Sequence, residues 1–210
     1  DQAGVYRYSV QDDGTGANFT DNGFTVPRNR LWIIGNFYED WTFFMRHDFK
    51  GNASRRVGAV DQEVNGLSEL DQYWGRYAFS ENVGLKVGMF ASILNRQMYT
   101  SPHLIITTDQ PPVATLFDTA IFEGVELQWN VTDCYRTWWI ASNGQRSVNR
   151  AFTSPENAEV ALSHHGELLL AGDWSQLISF TGQPGNDFAA KLGGSLHWEE
   201  NREIAGRQDT

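Results

Sequence analysis

The chain has 210 residues, of which 40% are hydrophobic and 13% aromatic, and it carries a formal net charge of −10. No stretch reaches the roughly 18 consecutive apolar residues that a membrane helix needs, so a helical membrane protein is excluded. The acidic balance, without any basic stretch with interleaved aromatics, argues against a nucleic-acid partner. The single cysteine, Cys134, excludes an intrachain disulfide framework.

Apolar and polar residues alternate with a period of two through most of the chain, as in residues 41–50, 85–90, 125–131 and 188–198. Successive side chains of a strand point to opposite faces, so each segment has one apolar and one polar face. Helical spacing has no comparable run, and we predict an all-β, antiparallel fold. The predicted strands are residues 3–11, 24–37, 41–50, 69–79, 84–92, 120–130, 135–142, 156–171 and 187–198.

The connections between the first seven predicted strands alternate between short and long. Tight turns are predicted at 38–40, 80–83 and 131–134, and long polar loops at about 51–68, 93–119 and 143–155. An outer-membrane β-barrel has short turns on the periplasmic side and long loops outside. Nothing in a soluble β-sandwich requires short and long connections to alternate in this way. This alternation favours a transmembrane barrel, with aromatics near the turns placed as an interfacial girdle.

In such a barrel the polar face of each strand lines the lumen, because an Arg or Lys on the lipid face costs roughly 2–4 kcal/mol at the bilayer midplane. Charged rings in the lumen decide which ions pass. The predicted pore-lining residues are Arg30, Arg46, Asp48, Arg76, Lys86, Glu126, Gln128, Lys191 and His197. The adjacent His164 and His165 would face opposite sides of a strand, so we predict no metal there.

The segment from Arg28 to Lys50 resembles the Arg-rich hairpin of the phosphate-selective porin O/P family. The segment 70–74 and the strand at 83–90, Val-Gly-Leu-Lys-Val-Gly-Met-Phe, resemble two further strands of that family. Residues 167–198 resemble its divergent, planctomycete-type members. These patches cover about half of the chain.

The resemblance implies a sixteen-stranded porin barrel in the outer membrane of a Gram-negative bacterium, commonly a trimer, surrounded by membrane lipid and lipopolysaccharide and passing ions or small solutes. In that family the matching long loop folds inward and narrows the pore, a role we extend to residues 95–116. Nine strands and a polar end at 202–210 lead us to expect that residues 1–210 are one barrel segment from inside a longer porin, with a complete ten-stranded barrel as the alternative. Because the chain has 16 basic and 26 acidic residues, we do not extend the family's phosphate selectivity to this chain.

Two other functions are consistent with the sequence. A structural or surface-layer barrel would have a plugged lumen, and a soluble carbohydrate-binding β-sandwich would expose Trp74, Trp138 and Trp139 to stack on sugar rings. No phosphate-binding glycine loop, metal-ligand spacing or nucleophile elbow is present, so we expect neither an enzyme nor a cofactor. The passive outer-membrane channel remains our leading interpretation.

Overall fold

A computed structural model describes the backbone of residues 2–12, 18–57, 60–96, 120–145, 147, 157–178, 185 and 187–201. It describes side chains for residues 30–49, 70–96, 120–145, 147, 157–178, 185 and 187–200. The chain forms two compact units, one of residues 1–34 and 44–71 and one of residues 35–43 and 72–210. Within the described residues, no helix is both long and apolar enough to cross a membrane.

Nine strands follow one another in chain order in one sheet, each hydrogen-bonded to the next. They are β1 (Gln2–Asp12), β2 (Asn18–Phe37), β3 (Trp41–Val57), β4 (Val60–Ala78), β5 (Val83–Ala91), β6 (Ile121–Thr132), β7 (Tyr135–Ser142), β8 (Ala158–Ala171) and β9 (Ala190–Asn201). β1 pairs with β2 in antiparallel orientation, and so do all consecutive strands from β4 to β9. The prediction of an all-β antiparallel fold is therefore confirmed, and most strand bounds agree within a few residues.

The prediction of a long loop at 51–68 is wrong. β3 continues to Val57 and β4 begins at Val60, so this region is an extended hairpin. A polar composition does not exclude a strand, because paired strands satisfy their own backbone groups whatever side chains they carry. β2 likewise begins six residues earlier than predicted, at Asn18. Its Pro27 lies where the pairing with β1 shifts register, the irregular position at which a strand tolerates proline.

The three predicted tight turns are present. Tyr38–Asp40 joins β2 to β3, and Tyr38 and Glu39 have φ values of 50° and 54°, the left-handed region used by hairpin turns. Phe79–Asn82 joins β4 to β5, and Asp133–Cys134 joins β6 to β7. The end of β8 and the connection that follows it lie beside that last turn. Leu169 N of β8 donates to Cys134 O at 2.7 Å, and Trp174 Nε1 of the connection donates to Asp133 O at 2.9 Å. The connection contains a 3-10 helix, Trp174–Leu177, capped by Asp173.

The two faces of the sheet in the second unit differ in an unusual way. One face is apolar and exposed, with Leu192, Leu196 and Trp198 exposed by 65%, 74% and 54%. The opposite face is polar and buried, with Glu126 at 0% exposure and Lys86 at 8%. Among the described side chains, buried polar residues outnumber buried hydrophobic ones. A water-soluble protein has the opposite arrangement, so this sheet is built to place its apolar face against lipid or protein.

Candidate lumen wall

The polar face of the second unit is a set of residue rows that cross six strands. Directly paired residues of an antiparallel sheet point to the same side. The pairings connect one row from β4 to β9, namely Arg76, Lys86, Glu126, Ile140, Ser163 and His197. A neighbouring row holds Ala78, Gly84, Gln128, Trp138, His165 and Ser195. The register thus brings four predicted pore-lining residues into one row and a fifth, Gln128, into the next.

The centre of the first row is a buried ion pair. Lys86 Nζ lies 2.7 Å from Glu126 Oε1, and their side chains are 10% and 0% exposed. Gln128 Nε2 donates to the same Glu126 oxygen at 2.6 Å, and Arg76 Nε donates to Gln128 Oε1 at 2.7 Å. Lys86 Nζ also lies 4.1 Å from the centre of the Phe90 ring. This network compensates the Glu126 charge, which would be costly to bury alone.

A second charge cluster surrounds Glu167, a residue that we did not predict. Arg136 Nη2 lies 2.5 Å from Glu167 Oε2, and Lys191 forms an ion pair with Oε1. The Arg136 guanidinium also lies over the ring of Trp174, 3.9 Å from its centre, and 5.2 Å from that of Trp138. The 3-10 helix of the β8–β9 connection is thereby fixed against the polar face. The same strand alternation, applied to residues 135–142 and 156–171, would have identified Arg136 and Glu167.

The predicted residues of the first unit form their own cluster. Arg30 Nε donates to Asp48 Oδ2 at 2.9 Å, and Asp48 is 1% exposed. Arg46 Nη2 lies 2.6 Å from Asp71 Oδ2, and Arg30 Nη2 lies 3.6 Å from that oxygen. Asp71 was not predicted, although it completes the cluster. The apolar residues 31–34 are exposed on both sides of β2, so the faces of this unit are less strictly sorted.

The polar face also carries apolar side chains at one end. Phe90, Phe122 and Ile140 are 1%, 1% and 3% exposed, and Trp74 and Ile93 pack against them. Ile93 lies in the long connection from β5 to β6, two residues after the end of β5. Ser195 Oγ donates to Leu94 O at 2.6 Å, and Arg96 Nη2 donates to Leu177 O at 2.8 Å. After β5 the chain therefore crosses the polar face toward β9. Most of the predicted inward loop at 95–116 falls within residues 97–119, which lie outside the described residues.

His164 and His165 face opposite sides, as predicted. The His165 ring lies 5.3 Å from that of Trp138 on the polar face, whereas His164 lies 4.2 Å from Trp139 on the apolar face. His164 Nε2 is 2.8 Å from Thr137 Oγ1, which gives this histidine a polar partner. No group of three or more His, Cys, Asp or Glu side chains in the described part of the chain is arranged to hold a metal ion.

Comparison with known proteins adds one finding. The family model described as "Phosphate-selective porin O and P" matches residues 3–167, most of the chain. No curated protein and no solved structure matches the sequence. The family match covers nearly all of β1, the whole of β2 to β7 and most of β8. It includes the cluster built on Glu126 and the one built on Asp48 and Asp71.

Proposed function

Because the chain belongs to the phosphate-selective porin O and P family, a family of outer-membrane porins, we propose that it forms a passive diffusion channel for ions or small hydrophilic solutes. The observation that carries this proposal is the inverted sheet of the second unit, whose polar face is buried and whose apolar face is exposed. A barrel that presents its apolar face to lipid and encloses a polar lumen requires that inversion.

The proposal assigns the lumen wall to the nine predicted residues, together with Asp71, Arg136 and Glu167. It also treats residues 1–210 as one segment of the barrel wall, and it includes a trimer in a bilayer that contains lipopolysaccharide. The nine-strand order and the antiparallel pairings support a barrel wall. The sixteen-strand count and the trimer rest on the family alone.

The paired charges of the wall favour weak ion selectivity. Glu126 is paired with Lys86, Glu167 with Arg136 and Lys191, and Arg30 with Asp48. A filter that strongly prefers one sign of ion presents uncompensated charge of the other sign to the passing solute. The net charge of −10 therefore does not make the lumen strongly cation-selective, and we do not extend phosphate selectivity to this chain.

Single-channel recording of the purified full-length porin, of which residues 1–210 form one segment in this proposal, tests the channel in a planar bilayer. We expect stable open steps, and a small reversal potential under a tenfold salt gradient. The measurement also addresses a second function, a structural barrel with a closed lumen, which the buried cluster of Phe90, Phe122 and Ile140 on the polar face favours. If the folded protein inserts into the membrane but passes no current, the channel is refuted and the structural barrel becomes the proposed function.

A further inference from the structure

A cavity of about 620 Å³ lies against the polar face of β8 and β9. Its walls include His165 and Glu167 of β8, Lys191 and His197 of β9, and Arg96 from the segment that follows β5. The volume falls in the roughly 300–1,000 Å³ range of small-molecule binding sites. Since all of these residues belong to the second unit, the cavity can be described within that unit alone.

A repeated sequence motif forms the floor of this cavity. β8 contains Ser163-x-His165-x-Glu167 and β9 contains Ser195-x-His197-x-Glu199, and the antiparallel register pairs each serine with the histidine of the other strand. His197 Nδ1 lies 2.7 Å from Ser163 Oγ, and His165 Nδ1 lies 2.7 Å from Ser195 Oγ. The two Nε2 atoms are directed to Glu199 and Glu167 of their own strands, so the histidines do not share a ligand position.

The hydrogen bonds of Ser195 show that Nδ1 of His165 carries a hydrogen. Ser195 Oγ has one hydrogen and donates it to Leu94 O, because a carbonyl oxygen can only accept. Ser195 Oγ therefore accepts from His165 Nδ1, which must carry the hydrogen. In the neutral form of the ring Nε2 is then an acceptor, and this atom is buried without a hydrogen-bond partner. Glu167 Oε1 lies 3.5 Å from His165 Nε2, but this carboxylate oxygen can only accept hydrogen bonds, and it already forms an ion pair with Lys191.

The cavity thus combines an unsatisfied acceptor with nearby donors. A chloride or sulfate ion can only accept hydrogen bonds, and it would leave His165 Nε2 unpaired while lying close to the Glu167 carboxylate. A hydroxyl group both donates and accepts, so a hydroxylated solute can satisfy Nε2 and also accept from Lys191 or Arg96. A buried polar atom without a hydrogen-bond partner is unfavourable. A site with such an atom therefore binds a solute that satisfies it more tightly than one that does not.

We infer that this cavity is a binding subsite for a neutral, hydroxyl-rich solute of monosaccharide size. The inference rests on the proposed channel, because a lumen site has a transport role only if solutes reach it. His165 accepts a hydrogen bond from a solute hydroxyl, and the mixed charges of the wall supply donors and acceptors without attracting an ion of one sign.

Saturation-transfer NMR with glucose as the probe, on the full chain in detergent micelles, measures this binding directly. The substitution His165→Asn keeps a donor at the Nδ1 position and removes the Nε2 acceptor, so the Kd for glucose should rise about three- to tenfold, as expected for one lost hydrogen bond. His165→Gln restores an acceptor at that reach and should recover binding. The neighbouring His164→Asn, on the apolar face, should leave the Kd unchanged.

A second comparison needs no variant. Fully methylated glucose (penta-O-methyl glucose) has no hydroxyl donor and should bind the unsubstituted chain more weakly than glucose. No saturable glucose signal, equal Kd values for His165→Asn and His164→Asn, or saturable sulfate binding in place of glucose would each overturn the inference. Since NMR detects binding without current, a conducting chain that does not bind glucose refutes the subsite alone. A glucose-binding chain without conductance refutes only the channel.

Discussion

Lys86 and Glu126 are directly paired across β5 and β6, and their ion pair of 2.7 Å is among the most buried features of the described structure. Burying either charge alone costs several kcal/mol, whereas their pairing with each other and with Gln128 offsets that cost. The pair therefore stabilises this part of the wall only as long as both partners are present.

Substitution of one partner should be more harmful than substitution of both. We expect Lys86→Met to lower the free energy of unfolding by about 3–5 kcal/mol, because it leaves the Glu126 charge buried and unpaired. The double variant Lys86→Met with Glu126→Gln should recover most of that loss. Urea unfolding in detergent micelles, followed by tryptophan fluorescence, measures both. Equal losses in the single and the double variant would show that the charge of Glu126 is not what the lysine compensates.

In the proposed channel, Glu167→Gln should move the ion preference toward anions. The substitution removes the carboxylate shared by Arg136 and Lys191 and leaves both cations uncompensated on the polar face. The reversal potential under a tenfold salt gradient reports the change. Glu159→Gln is the matched control, since it removes the same charge from an exposed residue of β8. A similar shift in both variants would place Glu167 outside the path of the ions.

Leu196→Arg distinguishes a membrane barrel from the soluble sandwich. Leu196 is 74% exposed on the apolar face, so in a soluble protein an arginine there would be close to neutral. On a lipid-facing strand near the bilayer midplane, the same arginine should cost about 2–4 kcal/mol. Refolding into lipid vesicles followed by urea unfolding measures the cost. Phe79→Arg, at an exposed turn residue, is the control with little expected effect. A neutral Leu196→Arg would count against lipid on this face.

The sequence alone determined the class of fold, the number of strands and which side chains share a face. These properties are local, because the alternation of side chains follows from the geometry of a single strand. That is why the predicted polar residues Arg76, Lys86, Glu126, Gln128, Lys191 and His197 all lie on the polar face of the second unit. Polar composition misled the prediction at 51–68 and at the start of β2, where strands continue through polar segments.

The tertiary structure decided which of those residues meet. Partners across strands depend on register, which is set by turns and bulges far from the residues concerned and is not encoded in either strand alone. Only the folded chain shows that Arg46 pairs with Asp71, that Arg136 and Lys191 share Glu167, and that the Ser-x-His-x-Glu repeats of β8 and β9 interlock. The cavity exists because that register places His165 and Ser195 opposite one another, beside the chain that leaves β5.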